Sequence, residues 1–351
     1  MNKILWPQLP VHALALAMAA LAVAIQTEPA VAQKTDIVML SNGNAVTGEV
    51  KEFQRGKMKF STDAMGTVYV EWPKIVTLTT DKTFEIELED GTTFFGSMSA
   101  AQEPNRLKVI VQRDTFEIAT QSVVRLQRIK STFWRRLDGS IDLGFDFTQQ
   151  NGKTDLALSG DVKYKMGLRN FKLTYGLTFS RQDSTDDISK LNLRFSYLKQ
   201  FGYRWFYIGA VSAEENSQLS LDIRGTVGGG IGRYFVQSNK VNFALLGGIG
   251  YAREKFTDTE GDNSVPATVG ADFQYFSWGD LDTDLSSRLV IMPVLNQLGR
   301  WRISFITSFK REVVKDFYFN VSVNEFFDSQ PPSTTANKND LSLTTSFGWS
   351  F

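Results

Sequence analysis

Counted back in twos from the C-terminus, the chain reads Phe351, Trp349, Phe347, Thr345, Leu343 and Leu341, with Ser350, Gly348, Ser346, Thr344 and Ser342 between them. A period of two marks a strand with one apolar and one polar face. From Ser140 onward the same alternation recurs in twelve segments. Ile141, Leu143, Phe145 and Phe147 carry it in the first, and Phe171, Leu173, Tyr175, Leu177 and Phe179 in the third. Leu221, Ile223, Val227 and Ile231 carry it in the sixth, and Trp301, Ile303, Phe305 and Phe309 in the tenth. The fifth, around Trp205 to Val211, is apolar on both faces and leaves its register open. Tight connections (165–170, 237–240, 279–282) alternate with longer polar ones (181–189, 257–266, 328–339). The pattern predicts an all-β chain whose residues 140–351 form a twelve-stranded antiparallel transmembrane β-barrel, with apolar side chains toward lipid and the long loops outside the cell.

Charge fixes which face is which. Asp142, Asp146, Asp161, Lys163, Lys172, Arg194, Asp222, Arg224, Asp272, Asp284, Arg288 and Arg302 all fall opposite the apolar positions. A slip of one residue would send them into hydrocarbon, at ~2–4 kcal/mol for each lysine or arginine near the midplane. They are expected to line the lumen as a network of ion pairs and hydrogen bonds. A charged constriction, or hydrolysis by the Asp142 and Asp146 carboxylates, are the alternatives. Gly228-Gly-Gly-Ile-Gly232 lacks the Lys-Ser/Thr and the helix of a phosphate loop, so it reads as barrel strand. Asp258, Glu260 and Asp262 do not have calcium-loop spacing and read as a solvated loop.

The first third has a different rhythm. Ile37-Val-Met-Leu-Ser-Asn-Gly43 recurs 48 positions later as Glu85-Ile-Glu-Leu-Glu-Asp-Gly91. Gly48 then matches Gly96, Val68-Tyr-Val70 matches Phe116-Glu-Ile118, and Ile75-Val76 matches Val123-Val124. Short alternating runs split by Asn-Gly and Asp-Gly hairpin signals predict two small SH3-like or Sm-like β modules, 33–82 and 83–130. Trp72, present in one copy, is the candidate groove residue for peptidoglycan or a periplasmic protein; a spacer or plug is the alternative. A linker, 131–139, follows; the basic stretch Arg128 to Arg136, with Phe133 and Trp134, suits an anchor at the inner leaflet.

Residues 1–32 read as a secretory signal peptide. Lys3 precedes an apolar run from Val11 to Ile25 that is too short to span a bilayer, and Ala30-Val-Ala32 before Gln33 is the cleavage site. Lysine plus arginine equals aspartate plus glutamate at 38 each, which leaves no basic field for nucleic acid. There is no cysteine, and the one histidine, His12, lies in the leader. Thiol chemistry, Ser–His hydrolysis and histidine-held metals lose their usual residues, so neither cofactor, metal nor catalysis is expected.

The opening strand Gly139-Ser-Ile-Asp-Leu-Gly144, the segments Gly228 to Tyr234 and Gly247 to Tyr251, and the ending Phe327-Asp-Ser-Gln-Pro331 with Asp340 and Phe351 resemble the YdiY-like family of salt-induced outer-membrane proteins, a domain of unknown function. That resemblance, over about 137–351, implies an outer-membrane barrel linked to osmotic stress, with no assigned ligand. It leaves the N-terminal modules without a counterpart. Phe347, Trp349 and Phe351 are the expected signal to the barrel-assembly machinery. The reading is a non-catalytic outer-membrane protein that supports envelope integrity or small-solute permeability, with its modules in the periplasm. A membrane-anchored adaptor is the alternative, and an envelope lipid hydrolase the least favoured.

Overall fold

A computed structural model describes residues 34–349 except 131, 149–152, 182–186, 203, 218–220, 258–260, 280, 315–316 and 331–337. The leader with Ala32 and Gln33, the terminal Phe351, and Asp258 and Glu260 lie outside the described residues.

Nine strands make the first sheet: β1 (Asp36–Leu40), β2 (Ala45–Gln54), β3 (Lys57–Ser61), β4 (Thr67–Glu71), β5 (Ile75–Leu88), β6 (Thr93–Ala100), β7 (Arg106–Val111), β8 (Asp114–Ala119) and β9 (Val123–Arg128). Their order is β4-β3-β2-β1-β5-β6-β7-β8, with β9 against β2 and β5. The repeat shows in the pairing. The first strand of one copy, β1, pairs with the first half of β5, while the second half of β5 pairs with β9. A boundary at 82/83 therefore cuts through one continuous strand, and both copies contribute to one apolar core. The two copies fold as one unit because neither alone encloses its apolar face.

Trp72 explains the asymmetry between the copies. It is fully buried, stacks on Phe53 at 3.9 Å, and donates its indole N–H to the Thr120 carbonyl at 2.9 Å. Thr120 occupies the equivalent position 48 residues on, so the two short 3-10 turns, Trp72–Lys74 and Thr120–Ser122, lock the repeats together. Trp72 is thus a core residue and not the wall of a groove. Burying a side chain of that kind contributes on the order of 2–3 kcal/mol.

After a single helical turn, α1 (Phe133–Arg136), the second sheet begins at β10 (Leu137–Thr148), three residues before the expected start. It continues through β11 (Lys153–Met166), β12 (Arg169–Arg181), β13 (Ile188–Phe201), β14 (Trp205–Asn216), β15 (Leu221–Gln237) and β16 (Val241–Phe256). Then come β17 (Asp262–Ser264), β18 (Ala267–Ser277), β19 (Thr283–Pro293), β20 (Trp301–Val314), β21 (Phe317–Asp328) and β22 (Asn339–Trp349). It is a 13-stranded antiparallel meander, the twelve expected strands plus β17, which pairs with the end of β16. Among the described residues β10 pairs with β11 alone and β22 with β21 alone, so the barrel-like sheet has two free edges.

The register follows the charges. Lys163 faces Lys172, Asp272 faces Arg288, and the apolar positions share the other side, as in Leu158 opposite Leu177. The ambiguous fifth strand is settled by packing. Phe206 is buried on the interior face, 5.1 Å from the Tyr234 ring, while Tyr207 and Val211 face outward. Its ring lies where a β-carbon on Gly232 would be, which gives that glycine a packing reason. One outward assignment fails: a bulge between Leu221 and Ile223 leaves Leu221 buried and turns Asp222 toward Lys255 and Thr257 at the strand end.

Candidate functional site

Two features gather charged side chains, one between the two sheets and one within the second sheet. The first is a seat. The tight turns of the second sheet (its turn end) carry the first sheet. The β2–β3 hairpin turns through Arg55 and Gly56, both at positive φ (52° and 70°), the backbone a two-residue hairpin needs. That tip meets the β18–β19 turn. Trp278 Nε1 donates to the Arg55 carbonyl at 2.5 Å, and Lys57 Nζ sits 3.8 Å above the Trp278 ring. Arg55 pairs with Asp284 at 2.6 Å and Lys57 with Asp282 at 2.9 Å. Gly56 lies so close to the Asn239 carbonyl and the Trp278 ring that a side chain there would collide.

Three further turns join the seat. Asn239, between β15 and β16, donates to the carbonyls of Gln121 (3.1 Å) and Val123 (2.9 Å). Lys165 donates to Gln127 at 3.0 Å. One terminal nitrogen of Arg125 donates to both Gln200 (2.8 Å) and the buried Glu85 (2.5 Å), while its Nε donates to the buried Glu87 at 2.7 Å. Burial pushes the Glu85 carboxyl above the ordinary value of 4.5, and Arg125 pulls against that rise. Between hairpin tip and wall remains a cavity of about 340 Å³, lined in part by Lys57, Asp284, Lys310 and Tyr318.

The second feature is a ladder at the opposite, loop end. Glu254, 4% exposed, accepts Arg302 at 3.1 Å and lies 3.2 Å from Arg224. Arg224 also bonds Glu214 at 3.1 Å, and Asp328 holds Arg300 at 2.8 Å and Arg302 at 3.3 Å. The pair between β16 and β20 spans strands that are not neighbours, so the sheet curls around these groups.

The twelve charges expected inside divide into groups. Arg224 and Arg302 join the ladder, Asp284 joins the seat, and Asp272 pairs across strands with Arg288 at 2.8 Å. Asp161 pairs with Lys163 at 3.1 Å along one strand. Asp222 leaves the interior network through the bulge. Among the described residues the side chains of Asp142, Asp146, Lys172 and Arg194 make no hydrogen bond or ion pair, so near β10–β13 the network is reduced to Asp161 with Lys163 and Ser140 and a few strand-end pairs. Asp142 and Asp146 are four positions apart on one strand, ~13 Å, outside the separation at which two carboxylates act on one bond. Among the described residues no cluster of three or more His, Cys, Asp or Glu is placed to hold a metal ion.

Of the C-terminal aromatics, Phe347 and Trp349 are exposed on the outer face, and Phe347 packs against Phe317 (6.1 Å) and Phe319 (5.0 Å). Sequence reasoning missed Arg55, Lys57, Arg125, Asn239, Trp278, Glu214, Glu254 and Asp328. A tryptophan inside an otherwise tight turn was the one local sign of the seat.

A comparison with curated proteins found no match. Residues 141–351, from within β10 to the C-terminus, match the family described as "Protein of unknown function, DUF481". With the whole second sheet but its first few residues inside that match, the chain belongs to the DUF481 family.

Proposed function

We propose that this protein is an outer-membrane β-barrel whose periplasmic mouth is stoppered by its own N-terminal unit, and that it supports envelope integrity or small-solute permeability without catalysis. The observation that carries the reading is the outer face of the second sheet. Apolar side chains such as Phe145 (70% exposed), Val269 (60%) and Leu343 (63%) stand free there, far more than a water-soluble surface tolerates as one patch. Aromatic residues edge this band. At the turn end Tyr164, Phe171, Tyr197 and Tyr207 follow one another at 4.8 to 6.0 Å. Phe171 and Phe179, Phe243 and Tyr251, and Trp301 and Phe309 are each eight positions apart on one strand. Eight residues rise ~27 Å along a strand. Tilted by ~40°, that matches the height of a bilayer's apolar band to within ~5 Å.

In this reading β10 and β22, which run antiparallel and occupy the two free edges, zip together in the bilayer and close the ring. The signal peptide delivers the chain, and the terminal aromatics address it to the assembly machinery. The adaptor alternative loses its marker because Trp72 is buried and the N-terminal unit spends one side on the barrel turns. Membrane fractionation and planar-bilayer recording test the proposal together. The whole protein should fractionate with the outer membrane and conduct little, and disruption of the seat should raise conductance. A chain that stays soluble and monodisperse without detergent sinks the proposal.

A further inference from the structure

We infer that the linker between the two sheets is a docking site for phospholipid headgroups, in which Phe133 and Trp134 enter the acyl boundary and Lys130 receives a lipid phosphate. The inference rests on the membrane reading above and adds a ligand to it. Trp134 is 79% exposed and Phe133 55%, although they touch edge to face at 5.4 Å. Phe133 also lies 5.0 Å from Tyr164, which lies 6.0 Å from Phe171. The aromatic edge of the barrel therefore runs without a break onto the linker, at the level where amphipathic rings meet a membrane interface.

The linker is held in place for this. Arg136 donates Nε to the Lys130 carbonyl at 2.6 Å and a terminal nitrogen to the Tyr164 hydroxyl at 3.3 Å. Lys130 is half-buried, yet among the described residues its ammonium makes no hydrogen bond or ion pair. Of the charges that face it, Asp138 is acidic, while Lys51, Arg128 and Lys165 are basic. Lys165 is committed to Gln127 and Arg128 to Glu49. Burial holds the Lys130 pKa below the ordinary lysine value, with Asp138 opposing. Asp138 faces the Lys130 ammonium without pairing with it, which leaves the ammonium open to a bound anion beside two rings that seek hydrocarbon. A free phosphate would answer the charge but leave the rings in water, whereas a phospholipid answers both.

The protein has no cysteine, so Thr132→Cys gives one site for a polarity-sensitive fluorophore in the whole chain. The labelled protein is inserted into vesicles of phosphatidylcholine, with and without phosphatidylglycerol. Insertion is scored by boiling-dependent mobility on gels. The expected result is a blue shift on insertion that grows with phosphatidylglycerol, disappears in Lys130→Glu and shrinks in Lys130→Gln. Aqueous emission from inserted protein, or emission indifferent to phosphatidylglycerol and to both lysine variants, overturns the lipid site and leaves the barrel standing. A chain that never inserts overturns both.

Discussion

Trp278→Ala would loosen the seat of the N-terminal unit on the second sheet. The substitution removes the indole N–H that reaches the Arg55 carbonyl and the ring beneath Lys57. The hydrogen bond contributes ~1 kcal/mol net. A half-exposed lysine over a tryptophan contributes ~1 kcal/mol more. The ring contact with Phe276 at 6.2 Å lies within one sheet and drops out of the docking balance. A loss of ~2 kcal/mol enlarges the undocked population about thirtyfold. The reporter is Asn239→Cys, placed where its side chain is covered by Gln121 and Val123 of the docked unit. In a cysteine-free chain, thiol labelling at this position scales with the undocked population when opening is fast. The labelling rate should rise about thirtyfold in Trp278→Ala relative to the reporter alone. A rise under about threefold, or a reporter that already labels like a free thiol, would falsify the idea that the tip is a stabilising contact.

Other consequences can be checked separately. Glu254→Ala removes one carboxylate from each of two interior guanidinium groups, Arg224 keeping Glu214 and Arg302 keeping Asp328, and should destabilise the second sheet by ~1–3 kcal/mol in urea unfolding from detergent; a cost under ~0.5 kcal/mol would mean that Glu254 is not a stabilising member of the ladder. Gly232→Ala, whose new carbon meets the Phe206 ring, should impair folding, whereas Gly247→Ala meets nothing nearby and should fold normally; equal behaviour of the two refutes the packing argument. The raised pKa of buried Glu85 means the folded state keeps its proton above pH 4.5 while the unfolded state loses it. Stability of the N-terminal unit should therefore fall as pH climbs from 4.5 through the raised folded value. Glu85→Gln should flatten that slope, as read by hydrogen exchange of β5 amides; an unchanged slope assigns it elsewhere.

Much of this architecture is written locally. A two-residue period is a property of neighbouring positions, so strands such as Leu137–Thr148 and Phe317–Asp328 can be read before any partner is known. Charges that fall opposite the apolar positions then tell the two faces apart, and a displaced copy of a motif announces a repeat. By contrast, Phe206 and Tyr207 are equally apolar in the sequence. Their sides are separated by Tyr234 and Gly232, far along the chain.

The sequence by itself determined the all-β class, the order of twelve of the thirteen meander strands, which charges share a face opposite the apolar positions, and the doubled N-terminal pattern. Only the tertiary structure decided that the two copies share β5 and one core, that Trp72 is buried at their junction, and that the hairpin at Arg55 sits on Trp278. It also decided which charges meet: Glu254 finds Arg302 because the sheet curls, bringing β16 opposite β20. Alternation arises from the geometry of one strand, whereas these contacts join residues tens to hundreds of positions apart, and no local period encodes such closeness.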